Sequence, residues 1–258
     1  MFKTDTTLPS ERIAQAFSPA NLRLLGHRLI DLLSSHLTQV EASREQVLNW
    51  NGPAGNIARA SQILAEAPQD PPSPEALAER FETLAGEMLA RGHNLHDPRY
   101  IGHKVPAPVP LAGLFDALGS ITNQVMAIYE MGPWATSVER AMITRLGARI
   151  GWAEAAFAGL VTHGGSLGNM TALLTARNVS LGDAWERGLS GRTPPPVILV
   201  QQDSHYCVAR AAGVLGIGTE QVVRVGLDER RRMDPQRLDE AITDLRARGV
   251  PIVAVSAA

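Results

Sequence analysis

The stretch GLVTHGGSLGNMTALLTAR, Gly159 to Arg177, has the makings of an anion site. Its spacing predicts a short buried strand over Gly159–Thr162, a glycine turn at Gly164-Gly165, and a helix opening at Ser166. At such a helix start several backbone N–H groups converge on one point, and the helix dipole adds partial positive charge. Glycine lets a phosphate approach closely. The turn has neither the lysine of the Walker pattern nor the GxGxxG spacing. Phosphate binding and a plain tight strand-to-helix connection both fit these residues.

Other chemistry-bearing residues lie on either side. The segment HNLHDPRYIGHKVPAPVP, residues 93–110, contains four prolines that forbid a regular helix, yet it keeps His93, His96, His103, an arginine and a tyrosine. The three histidines raise the question of a metal. Their spacing matches no common zinc pattern and no cysteine or acidic cluster accompanies them, so the wall of a pocket is the preferred reading and no metal is expected. His205 stands just after an apolar run and a serine, the position of a helix-start residue. Cys207 reads as a small buried residue. The only lysines are Lys3, near the start, and Lys104, in the proline-rich segment.

The elements that must position these groups follow from periodicity and punctuation. Residues 1–17 read as a loose start. Ser18-Pro19 opens a helix to about Val40, with Leu22, Leu25, Leu29, Leu32, Leu33 and Leu37 on one face. Residues 41–73 read as an extended connection, and Ser73-Pro74 opens a second helix that ends near Arg91-Gly92. Helices are expected from Leu111 to Met131 and up to Ile150, the latter with Thr136 and Glu139 at capping-box spacing. Beyond the glycine turn, a loop from Gly182 to Pro196 precedes a regular alternation. Strands are expected at Val197–Gln201, Val222–Val225 and Val250–Val255, and helices at His205–Leu215, capped by Ser204, and from Asp234-Pro235 to Gly249. Near-continuous apolar strands alternating with helices argue an α/β fold with a mostly parallel sheet flanked by helices.

Composition narrows the classes. The chain has 258 residues, 45% of them hydrophobic, and a net charge of −2, which gives no reason to expect a nucleic-acid or membrane partner. A single cysteine excludes an internal disulfide and fits a cytoplasmic setting. The last expected strand runs into Ser256-Ala257-Ala258, where a polar linker would be more usual, so the chain reads as truncated.

Five ordered blocks carry a family resemblance: DPRYIGHKVPAPVP, AIYEMGP, THGGSLGNMTALLTARN, DSHYCVARAAGVLGIG and RMDPQRLDEAI. Together they resemble the group II pyridoxal-phosphate-dependent decarboxylases, which act on aromatic amino acids, glutamate, tyrosine and diaminobutyrate. The resemblance implies the type I, aspartate-aminotransferase-like fold. Residues 1–73 would form a helical arm and linker, and 74–258 an incomplete cofactor-binding large domain. It implies pyridoxal 5'-phosphate as cofactor, an L-amino acid as substrate and a homodimer in the full-length form.

Gly165 and Ser166 align with the family's phosphate-binding turn. His205 aligns with the histidine that stacks on the pyridine ring and contacts the substrate carboxylate. His103 to Pro106 aligns with residues lining the substrate pocket. Two departures stand out: His163 where a serine is usual, and Cys207 in place of a common serine; neither removes a main-chain donor. The resemblance places the family's aspartate and Schiff-base lysine later in the chain, beyond Ala258, and Lys104 aligns with a pocket position. This chain alone is therefore expected to be inactive. Two alternatives stand beside decarboxylation: another type I enzyme, aminotransferase or lyase, and a non-catalytic shortened relative acting through dimer packing.

Overall fold

A computed structural model describes residues 7–66, 68 and 70–257. It divides into two compact units that meet in sequence at Asn123 and Gln124.

The first unit is helical. Helix α1 (Thr7–Ala16) occupies most of the expected loose start, whose first six residues, Lys3 among them, lie outside the described residues. Local periodicity could not reveal α1, because its anchors are remote: Arg12 donates to the Pro68 carbonyl (2.9 Å) and Gln15 to that of Pro72 (2.7 Å). Helix α2 (Pro19–Glu41) starts as its sequence dictates, with Ser18 Oγ accepting from Asn21 N–H. The expected extended connection holds a helix instead, α3 (Pro53–Ala65), with Gly52 at the cap and Pro53 in the first turn. Helix α4 (Pro74–Arg91) is capped by Ser73. Contacts between Arg91 and Asn56 (3.0 Å) and between Arg80 and the Ile63 carbonyl (2.8 Å) set α3 antiparallel to α4. Glu87 sits between Arg59 and Arg91, and the Arg59 hydrogen bond, followed by that of Arg91, pulls its carboxyl down to about 2. Helix α5 (Pro110–Thr122) ends nine residues before the expected Met131, where Asn123 adopts a left-handed conformation (φ 47°) and closes the helix.

The second unit holds the sheet. Helix α6 (Pro133–Arg149) begins before Thr136, whose N–H bonds the Gly132 carbonyl, so Thr136 and Glu139 are not a capping box. Helix α7 (Gly165–Leu181) and the short α8 (Ala184–Arg187) precede strand β1 (Val197–Gln201). Helix α9 (Cys207–Val214), β2 (Val222–Val225), α10 (Pro235–Ala247) and β3 (Ile252–Ser256) follow. The strands lie in the order β2-β1-β3, all parallel, with Ile198 opposite Val222 and Leu199 opposite Val255. Every residue of β1 is buried, and alternate side chains serve opposite faces. Ile198 and Val200 join Leu173, Val208 and Ala212 from α7 and α9, while Val197 and Leu199 join Leu245 from α10. The sheet is thus covered on both faces, as continuous apolar strands require.

Two hydrogen bonds fix the course of α7. Ser180, near its end, donates to the Val253 carbonyl in the first half of β3 (3.0 Å), and Asn169, near its start, reaches Cys207 just past the carboxyl end of β1 (3.1 Å). Helix α7 therefore runs against the strands, with its N-terminus at the carboxyl edge of the sheet. Arg177 donates to the Leu215 carbonyl (3.0 Å), a partner 38 residues along, as Cys207 is from Asn169. Equal separations at two points mean that α7 and α9 run parallel, side by side.

Candidate active site

The expected strand over Gly159–Thr162 is not formed. The segment from Phe157 to Val161 instead lies along α6. The Phe157 ring sits over Gly147, Gly159 lies against Ile143, and Val161 N–H donates to Glu139 Oε1 at 2.7 Å. Each step of two residues along the segment matches four along the helix. That register is physical, since two extended residues and four helical ones both advance roughly 6–7 Å. A backbone whose partners are helix side chains does not enter a sheet.

This segment delivers the chain to the glycine turn. Gly164 has φ 81° and ψ 156°, a conformation that L side chains rarely adopt, and it serves as the N-cap of α7. No side chain caps the helix, and Gly164, Gly165 and Ser166 are all exposed. A Cβ built on either glycine meets nothing within 4 Å. The first-turn N–H groups of a 17-residue helix thus face open space without an intrahelical partner. A phosphate monoester fits this turn: room for the group, donors and dipole to bind it, and no side chain to displace. His163, just before the turn, is also exposed.

His205 belongs to the loop after β1. It is not the first residue of α9, and Ser204 does not cap that helix; Tyr206 is the N-cap, without a side-chain cap bond. The His205 ring does this work in part, its Nδ1 accepting from Cys207 N–H at 3.2 Å. Its centroid lies 4.2 Å from that of Tyr206, and the Arg210 guanidinium lies 4.6 Å from the Tyr206 centroid. The loop is stitched to its neighbours. Gln202 N–H donates to the Val225 carbonyl (2.9 Å), buried Gln201 donates to the Arg231 carbonyl (3.0 Å), and Arg231 pairs with Asp203. Gly165, Ser166 and His205 therefore share the carboxyl edge of one sheet, where ligands bind in folds of this type. Asn169, which ties the turn's helix to Cys207, was not singled out from the sequence, and Glu139, which holds Val161, was expected in a capping box instead.

His103 and Pro106 lie in the first unit, on an exposed loop without regular structure. His103 (φ 45°) and Lys104 (φ 53°) are both left-handed, in a tight turn closed by Val105 N–H to the Gly102 carbonyl (3.3 Å). The root of the loop is rigid. Asp97, buried, accepts from Arg99 Nε (2.9 Å), Arg99 Nη2 (2.7 Å) and Ser43, and the bonds from Arg99 hold its carboxyl down at about 2. Buried Asn94 donates to the Gln46 carbonyl (2.6 Å). His93 and His96 line a mostly apolar cavity of about 530 Å³ with His36, Leu37, Leu89 and Leu114. Among the described residues, no three His, Cys, Asp or Glu side chains are grouped to hold a metal, and no helix is long and apolar enough to cross a membrane.

With this geometry in place, comparison with known proteins is decisive. Residues 60–258 match the pyridoxal-dependent decarboxylase conserved domain. The chain belongs to the pyridoxal-dependent decarboxylase family. It is 30% identical over 217 residues to the cysteine sulfinic acid decarboxylase of Mus musculus, covering 84% of this chain and 42% of that protein. It is 36% identical over 127 residues to an acidic amino acid decarboxylase of Homo sapiens, covering 49% of this chain and 24% of that protein. The solved structure of mouse CSAD in its apo form superposes with a TM-score of 0.76 at 26% identity, over 92% of this chain and 48% of that one. The fold is shared with Oryza sativa TDC, at a TM-score of 0.73 and 18% identity, covering 93% of this chain and 51% of that one. The decarboxylase-family chain thus has the type I fold and spans about half the length of the relatives it matches. The family's cofactor is pyridoxal phosphate.

Proposed function

We propose that this chain supplies the phosphate and ring contacts of a pyridoxal-phosphate-dependent decarboxylase that releases the α-carboxylate of an L-amino acid as CO₂. The observation that carries the reading is the open, uncapped turn at Gly164–Ser166, joined to the His205 loop through Asn169 and Cys207. Gly165 and Ser166 would hold the phosphate through main-chain N–H groups and the Ser166 hydroxyl. His205 would lie on the pyridine ring. When bound, the cofactor supplies an electron-accepting ring that takes up the electron pair left by the departing carboxylate. The names of the relatives at 30% and 36% identity favour an acidic amino acid as substrate.

The lysine that holds the cofactor between turnovers is not among this chain's candidates. Lys104, one of the only two lysines, is an exposed loop residue, and its alignment is with a pocket wall. The chain alone is proposed to bind the cofactor without releasing CO₂, and the complete enzyme to be a cytoplasmic homodimer. Apolar side chains standing open on α5, Phe115 and Leu111 among them, support the need for further covering.

The test is a titration of the chain with pyridoxal phosphate, followed by absorbance, beside a CO₂-release assay. Saturable binding is expected, with no CO₂ from any amino acid. Gly165→Asp places a negative charge at the turn in space that accepts a Cβ, and it favours the helix N-terminus, so it should abolish binding without unfolding α7. Unchanged affinity in Gly165→Asp would remove the phosphate from this turn, and steady CO₂ release would overturn the claim of inactivity.

A further inference from the structure

We infer that the fold holds His205 as the neutral tautomer with its hydrogen on Nε2, so that the ring meets a ligand as an N–H donor and not as a base. The inference deepens the proposed role of His205 and rests on it for its functional meaning, though not for its structural content. Cys207 N–H is a backbone donor with no acceptor capacity, and it points at His205 Nδ1 from 3.2 Å. That bond requires a lone pair on Nδ1. A hydrogen there would set two donors against each other at the same distance. The hydrogen of the neutral ring must then sit on Nε2, since in a neutral imidazole the bond made by one nitrogen fixes the state of the other.

Two features make this arrangement more than a passing contact. Cys207 is the first residue of α9, whose opening N–H groups lack intrahelical partners, so the imidazole satisfies a group the helix would otherwise leave bare. Cys207 is itself fixed: its side chain is 3% exposed and its sulfur accepts from Asn169. The ring plane is held from another side by Tyr206, at 4.2 Å between centroids and 37° between planes, and Tyr206 in turn carries Arg210. The backbone at Cys207 thus chooses the tautomer, and Tyr206 is the positioning residue for the ring. A ring so held can give a hydrogen bond to an acceptor such as a carboxylate oxygen.

The experiment is a long-range ¹H–¹⁵N correlation spectrum of the whole chain, labelled with ¹⁵N-histidine, at neutral pH. The His205 signals are assigned by their loss in His205→Gln. Expected are an Nδ1 signal typical of a bare ring nitrogen and an Nε2 signal typical of a protonated one. The Cys207 amide should also exchange roughly tenfold faster in His205→Ala, the worth of one hydrogen bond. A hydrogen on Nδ1, on both nitrogens, or averaged between them would overturn the inference, as would an exchange rate that ignores the substitution. Neither readout involves the cofactor, so the inference and the proposed phosphate site fail separately: Gly165→Asp reports on one, the His205 spectrum on the other.

Discussion

The Asn169 side-chain amide donates to Cys207 Sγ across 3.1 Å, and this bond ties the helix that opens at the glycine turn to the helix that follows His205. Cys207→Ser keeps an acceptor at this point and should change stability little. Cys207→Val leaves the amide of Asn169 without its partner and should cost about 1 kcal/mol, measured as a lowered urea midpoint. The thiol, 3% exposed, should react slowly with an aromatic disulfide reagent in the native chain and at once in urea. Fast native labelling would show that α7 and α9 part readily.

Glu139 holds the approach to the turn by accepting Val161 N–H at 2.7 Å. Glu139→Gln retains a side-chain oxygen and should be tolerated. Glu139→Ala should destabilise by about 1 kcal/mol and weaken pyridoxal phosphate binding several-fold, because the turn loses its fixed entry. If the alanine variant binds as tightly as the parent, the turn is positioned without α6.

Gly147 lies under the Phe157 ring, and a Cβ there would stand 2.0 Å from a ring carbon. The ring also packs on Trp152, with centroids 5.5 Å apart, so it cannot move without losing that contact. Gly147→Ala is expected to cost about 1–3 kcal/mol in spite of alanine's better helix propensity. A stabilised variant, read by thermal unfolding, would place the ring elsewhere.

Asp97 gives the first unit an acid-sensitive fastening. Its carboxyl, ordinarily near 3.8, is held at about 2 by Arg99, so the folded state favours the charged form. That contribution is fully present above about 3.8 and disappears as the pH falls from there through about 2. Asp97→Asn should lower stability at neutral pH and flatten this part of the acid profile, seen in denaturant midpoints collected across that range.

What could be read from residues alone follows a physical line. The sheet was legible because each strand is an unbroken apolar run bounded by turns, and the caps at Ser18, Ser73 and Asp234 announce their helices by local hydrogen bonds. Gly165 and Ser166 could be read as a candidate anion turn because two glycines before a helix start have recognisable composition, whereas His205 by itself read as a helix-start residue and became a candidate only through the family resemblance. The failures involve partners far along the chain. Helix α1 depends on carbonyls of Pro68 and Pro72, and Leu160 and Val161 resemble a strand but lie on α6. Thr136 and Glu139 have capping-box spacing, yet Pro133 had already opened the helix. In each case a local pattern was overruled by a contact that its own window does not contain.

The ladder of Phe157, Gly159 and Val161 along α6 also bears on the order of folding. Its most distant contact, Val161 with Glu139, spans 22 residues, so little chain entropy is lost in closing it. The sheet is different, since β3 must find β1 across α9, β2 and α10. Contacts of short span form fastest, which sets α6 and its attached segment ahead of the sheet. Pulse-labelled hydrogen exchange should find the Val161 amide protected before that of Leu199. The arm that presents the anion turn would then be in place while the edge that completes the site is still assembling.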